Sequence, residues 1–206
     1  MTTPIADPAR KPRYHHGDLR EALLAAARQL VNERGAENFS LADACRVAGV
    51  STAAPYKHFR DKNEVLQELI MLGFNELKAT GQAALFQYGA TSLAGMIAMG
   101  KNYVDFARRE TALFRLMFGQ NPVLKSDPAV EVCGQECFGG VIASVAAYCA
   151  ANGIERDARE VAVELWTFVH GVASLAIDGD YEKVTPGLDV NQLIERVSPR
   201  LLSANG

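Results

Sequence analysis

Between Ser51 and Lys62 the chain places two hydroxyls, a phenol, an imidazole and two ammonium groups, on Ser51, Thr52, Tyr56, His58, Lys57 and Lys62. No nucleophile stands beside a base in this run. The set suits hydrogen bonding to a surface of base edges and phosphates, because short hydroxyls and a lysine match base edges while a phenol, an imidazole and a second lysine match phosphate oxygens. Ser51, Thr52, Ala53 and Lys57 are therefore expected at the bases or the groove floor, Tyr56, His58 and Lys62 on phosphates, and Ser40 at the entry to the same surface. The sequence holds no nucleophile elbow, glycine-rich phosphate loop or His-Glu-x-x-His pair, so no catalytic residue and no enzyme activity is expected. His15-His16 lack a third ligand at metal-binding spacing, and Cys45, Cys133, Cys137 and Cys149 lack any Cys-x-x-Cys pair. No metal and no cofactor is expected. Cys133 and Cys137 share a helix face at i and i+4, as do Trp166 and His170.

Helices must position these groups. Ser40 precedes the apolar positions Leu41, Ala44, Cys45 and Val47, so its hydroxyl is placed to cap a helix whose first turn holds Asp43. Gly49 ends that helix, since a residue without a Cβ turns the chain at positive φ while two helices stay close. Ser51 then caps a second helix beginning at Thr52, with Pro55 one turn inside, where its missing N–H removes only the first intrahelical bond. The pattern predicts a helix-turn-helix. Upstream, Asp18 caps a helix over residues 19–34 that turns Leu23, Ala26, Ala27, Leu30 and Val31 inward and stops at Gly35. Downstream, Asp61 caps a long helix from Lys62 to about Phe86. Apolar residues at three- and four-residue spacing predict further helices over 92–109, 111–118, 128–152, 157–178 and 189–203. The expected architecture is all-α: a disordered basic arm (1–13), a three-helix DNA-binding head (14–61), and a helical ligand-binding and dimerisation body (62–206) reached through the long helix.

Charge agrees with that division. The net charge of −3 conceals ten Lys and Arg against eight Asp and Glu in residues 1–65, and eleven against sixteen in the remainder. A mildly basic head would face nucleic acid and an acidic body would stay off it. The first residues carry charge and proline where a signal peptide needs an apolar core, and no uninterrupted apolar run reaches the length of a membrane span. A cytoplasmic location without a membrane partner is expected, with the cysteines as small buried hydrophobes.

The run from Ser40 through Ala48-Gly49-Val50-Ser51 to Tyr56, His58, Phe59, Lys62 and Leu66 resembles the DNA-binding signature of TetR-type transcriptional regulators, departing from it at Ala53-Ala54 and Pro55. The block Trp166-x-x-x-His170-Gly171, together with the entry Tyr14-His15-His16-Gly17-Asp18-Leu19, resembles the subgroup whose C-terminal domain is known for those three residue types. The resemblance implies a homodimer on a palindromic DNA operator, most simply as a repressor. In such proteins the last two helices pair with a partner's, and Leu165, Val169, Ala173, Ile177, Leu193, Ile194, Val197 and Leu201 could supply that face here. It also implies a small-molecule effector, in a pocket lined by Phe74, Met99, Tyr103, Phe106, Met117, Phe118, Cys137, Val141, Trp166 and His170. Methionines and aromatics adapt to apolar guests. His170 could serve as the pocket's polar group or hydrogen-bond a neighbouring helix. The alternative is the same DNA-binding dimer without a small ligand, controlled by oxidation of Cys133 and Cys137 or by a partner protein.

Overall fold

The computed structural model describes residues 16–204, so the basic arm and Tyr14-His15 lie outside the described residues. Ten α-helices and two 3₁₀ turns make up the regular structure, with no strand among the described residues. α1 (His16–Arg34) and α2 (Leu41–Ala48) form the head together with a 3₁₀ turn at Pro55–Lys57. α3 (Lys62–Tyr88) rises from it for 27 residues, about 40 Å at ~1.5 Å per residue. The body follows as α4 (Leu93–Arg109), α5 (Thr111–Phe118), α6 (Pro122–Lys125), α7 (Pro128–Asn152), α8 (Ala158–Ile177), α9 (Asp180–Val184) and α10 (Val190–Leu201).

Side-chain caps set most of these starts. Ser40, Asp61, Ser92, Asn121, Asp127, Asp157 and Asp189 each accept a backbone N–H from the first turn of the helix they precede. Gly49 ends α2 in the left-handed conformation at φ 68°, as its position predicts. Two expectations fail. α1 is already helical at His16, the first described residue, so Asp18 lies within the helix and not before it. The second helix of the helix-turn-helix is reduced to the 3₁₀ turn Pro55–Lys57. Pro55 has no N–H to bond the Ser51 carbonyl, and the Ala54, Lys57 and His58 N–H groups bond three residues back instead of four.

One apolar core joins head to body. Leu23, Leu30 and Val31 of α1 pack with Phe39, Cys45 and Phe59 against Val65, Leu69 and Ile70 of α3, and the same cluster continues through Phe106, Leu113 and Met117 to Ile194. A second cluster around Met96, Val145, Tyr148, Val161, Leu165 and Leu202 closes the far end of the body. α7 and α8 are, against expectation, long and apolar enough to cross a membrane by length and composition, yet only 17% and 33% of those stretches are buried within the chain. Their apolar character exceeds what this chain's own core uses.

Candidate functional site

The head is organised by its caps. Ser40 Oγ accepts from Asp43 N–H at 3.2 Å and donates to Asp43 Oδ2 at 2.8 Å, while Arg46 donates to Asp43 Oδ1 at 2.6 Å. These bonds, the Ser40 hydroxyl first, hold the Asp43 carboxyl below the usual carboxylate range. Val50 N–H returns to the Cys45 carbonyl at 3.0 Å, and the chain then winds through Ala54 N–H to Ser51 O at 3.0 Å and both His58 and Phe59 N–H to Pro55 O at 2.8 Å. The winding buries Pro55 and Phe59 and leaves Ser51, Thr52, Ala53, Tyr56 and Lys57 exposed on one side. Tyr56 is 66% exposed, an unusual position for an aromatic ring without a partner. His58 is half-buried against Phe59, and its Nε2 meets no hydrogen-bond partner among the described residues. Lys62 donates to the Glu37 carbonyl at 3.0 Å and lies 5.2 Å from the Phe39 ring centre. It pins the α1–α2 connection with one donor and keeps two for other acceptors. Ser40, Tyr56 and Lys62 meet around a surface hollow of about 350 Å³ that Arg60 also lines. Arg60 was not singled out in the sequence, although a cation next to the Asp61 cap was a readable signal.

A half-open cavity of about 500 Å³ lies in the body between α3, α4, α5, α7 and α8. Phe74, Met99, Tyr103, Met117, Phe118, Cys137, Val141 and Trp166 all line it, as expected. Phe106 does not, being 1% exposed in the core, and His170 stands one layer behind the wall. His170 Nδ1 lies 2.8 Å from Tyr103 Oη on α4, which also accepts from Trp166 Nε1–H at 3.3 Å. Of the two roles open to it, His170 takes the bond to a neighbouring helix. Burial lowers the His170 pKa and, as the largest cause, raises that of Tyr103, so both are neutral at physiological pH. Leu77, Met96, Phe138 and Val169 extend the apolar wall beyond the sequence-based set. Gly81 was its missed marker: a Cβ there would come within 3.3 Å of Met99 Cγ.

The thiols are poorly suited to oxidation sensing. Burial pushes Cys137 up to about 11 and also raises Cys133, whose Sγ faces the Met71 carbonyl at 3.6 Å. Both remain thiols at neutral pH, and the thiolate is the form that oxidants attack.

α5 connects cavity to head. Met117 and Phe118 form cavity wall, and a Cβ at Gly73 on α3 would collide with the Met117 sulfur. At the other end of α5, the Leu113 N–H donates to Asn32 Oδ1 of α1 at 3.3 Å, and the Asn32 amide donates to Glu110. Arg28, also on α1, pairs with Glu110 at 2.9 Å and with Glu76 of α3 at 2.6 Å. Burial opposes the Arg28 charge, and the two carboxylates outweigh it and raise its pKa.

Of the residues expected at a subunit interface, Leu165, Val169, Ala173 and Ile194 turn into this chain's own core, while Ile177, Leu193, Val197 and Leu201 are half-buried. The outward face of α8 instead shows Val163, Thr167, Gly171 and Leu175.

Comparison with known proteins fits this geometry. Residues 96–201 match the family described as tetracyclin repressor-like, C-terminal domain, and residues 23–69 match the bacterial regulatory proteins of the tetR family. The chain is 35% identical over 80 residues to the HTH-type transcriptional repressor BepR of Brucella suis, covering 38% of each protein. It is 33% identical over 61 residues to the HTH-type transcriptional regulator AcrR of Shigella flexneri, covering 30% of this chain and 28% of that one. The chain thus spans little more than a third of these curated relatives at most. A solved structure of a protein of unknown function from Rhodococcus sp. RHA1 is 32% identical with a TM-score of 0.81, covering 93% of this chain and 97% of the other.

Proposed function

The chain belongs to the TetR family of bacterial regulatory proteins and is a DNA-binding regulator, and we propose that it is a homodimeric, cytoplasmic repressor of a palindromic operator, released when a small, largely apolar ligand fills the body cavity. The observation that carries this reading is the unbroken path from cavity to head: Met117 and Phe118 in the wall, Leu113 and Glu110 at the start of the same helix, and Asn32 and Arg28 in α1. A guest that displaces α5 pulls on the bonds that fix α1 against α3. The two heads of the dimer then leave the spacing of about 34–36 Å that successive major grooves require. The ligand must bind the released state more tightly than the DNA-bound one, and a coupling of roughly 1–3 kcal/mol would suffice for a 5- to 150-fold loss of affinity.

In this reading the head spans residues 14–61 and the body 62–206, and the Trp166-x-x-x-His170-Gly171 block supports membership of the corresponding subgroup. Ser51, Thr52, Ala53 and Lys57 read the groove, and Tyr56, His58 and the spare donors of Lys62 hold phosphate, with Arg60, which also pairs with Glu64 at 3.1 Å, beside the hollow next to Ser40. The dimer contact runs over the exposed face of α8 through Val163, Thr167 and Leu175 and over the half-buried Leu193, Val197 and Leu201. Control by Cys133 and Cys137 is disfavoured by their raised pKa values.

Selection of bound sequences from a random DNA pool at physiological salt, with the mass in solution measured alongside, tests the proposal. An enriched palindrome bound by a dimer is the expected result. Absence of any enriched sequence, with binding that falls steeply as salt rises, would leave a non-specific DNA binder instead.

A further inference from the structure

Most polar groups around the cavity are already engaged. The Thr80 hydroxyl donates to the Glu76 carbonyl at 2.9 Å and that of Ser144 to the Gly140 carbonyl at 2.8 Å. At the mouth, Lys78 pairs with Glu136 at 3.6 Å, Lys125 donates to the Phe118 carbonyl at 3.3 Å, and the Gln135 amide donates to Glu131 at 2.9 Å. Lys125 keeps two donors at the mouth, but a charge carried inward to Tyr103 would leave water and meet only the neutral Trp166 and His170 there, which is a heavy desolvation penalty.

Tyr103 Oη is different. A phenol offers one donor and two acceptor sites, and the bonds to Trp166 and His170 use two of the three. Which site remains depends on the His170 tautomer. With Nδ1 bare, Tyr103 donates to it and keeps a lone pair; with Nδ1 protonated, the ring donates and the phenol keeps its hydrogen. Both arrangements exist for a neutral imidazole, and His170 is held neutral by burial. A hydroxyl on the guest answers either, being donor and acceptor at once, whereas a carboxylate answers only one and brings a charge with it.

We propose that the cavity takes an uncharged, elongated alcohol, with its hydroxyl on Tyr103 Oη and its hydrocarbon body along Phe74, Met99, Met117, Phe118 and Val141. Tyr103 determines specificity, and Trp166 and His170 are positioning residues that hold its oxygen at the wall. The inference rests on the reading of the body as a ligand-binding domain and adds the chemical class of the guest.

Calorimetric titration of the full chain with 1-decanol, decanoate and 1-chlorodecane at pH 8 tests it. The expected order is 1-decanol first, with decanoate at least roughly tenfold weaker and 1-chlorodecane roughly tenfold weaker, the factor one hydrogen bond supplies. Tyr103→Phe should remove the advantage of 1-decanol, shifting its affinity relative to 1-chlorodecane by at least roughly tenfold. A wall that had merely loosened would weaken both and keep their ratio, and that result would overturn the assignment. Decanoate binding as tightly as 1-decanol, or no alcohol binding at all, would overturn it too. The three-probe comparison on the unaltered protein does not depend on the variant folding. Operator release is read separately by gel shift: 1-decanol that binds without releasing DNA keeps the ligand class and removes the release mechanism, whereas a preference for decanoate removes the class and leaves the regulator.

Discussion

At the scale of single residues, neighbours in the head have different expected effects on DNA. Tyr56 carries a hydroxyl on an exposed ring beside the hollow, so Tyr56→Phe should weaken binding to all sequences alike, by roughly 0.5–1.5 kcal/mol for one hydrogen bond. Lys57 is exposed, and with the groove-reading role proposed for it Lys57→Ala should change which bases are preferred; measured affinities for operator and scrambled DNA separate the two effects. His170 gives a pH test. Burial puts its folded pKa below the unfolded value, so the unfolded chain binds the proton first and stability is lost as pH falls from about 6.5 toward the lower folded value. The melting midpoint should therefore drop between pH 7 and 5, and His170→Gln should flatten that part of the profile. Asp43 has the same sign at lower pH: its contribution is present above about 4 and fades as pH falls through its depressed folded value.

At the scale of elements, the proposed reading and switching fall on the Pro55–Lys57 turn and on α5. The turn at Pro55–Lys57 closes with 3₁₀ bonds and lacks the first α-helical one, so its backbone has little to protect it. Amides of Thr52, Ala53 and Tyr56 should exchange with solvent hydrogen far faster than those of Leu66 or Leu69 in the free protein, and should slow on operator binding. α5 gives the complementary test. Asn32→Ala removes the acceptor of the Leu113 N–H and should cost about 1–3 kcal/mol of stability. It should also leave ligand affinity near its original value while operator release is blunted, which calorimetry and gel shift together resolve. These elements differ in how far the sequence announced them. Caps such as Asp61, Ser92 and Asp157 sit directly before long periodic runs, so the body helices were legible almost to the residue. α6 and α9, at four and five residues, are too short to show a period. The recognition element differs because Ser51 and the position of Pro55 permit an α-helix from Thr52 without enforcing one, and the chain closes there mainly with 3₁₀ bonds. Eight cavity residues were legible as a methionine-rich and aromatic set. The bonds of Arg28 and Asn32 to Glu110 were not, because they join positions 82 and 78 residues apart and only the fold brings them together.

At the scale of the whole molecule, residues 1–65 carry a small positive charge, the remainder is acidic, and the body carries spare apolar surface. The exposed row on α8 includes Val163 at 43% and Leu175 at 42%, and most of α7 is likewise uncovered. Val163→Glu or Leu175→Glu should convert a dimer to a monomer by sedimentation and weaken operator binding far more than binding of random DNA. The same face ties folding to abundance. In the proposed dimer, where α7 and α8 gain further cover from a second copy, mass action favours the folded state as concentration rises, and the heat-unfolding midpoint should climb by about 1–2 °C for each tenfold increase in protein. A repressor present at a few copies per cell would then sit nearer its unfolding threshold than the same chain in abundance, so the strength of its own promoter would help set its lifetime.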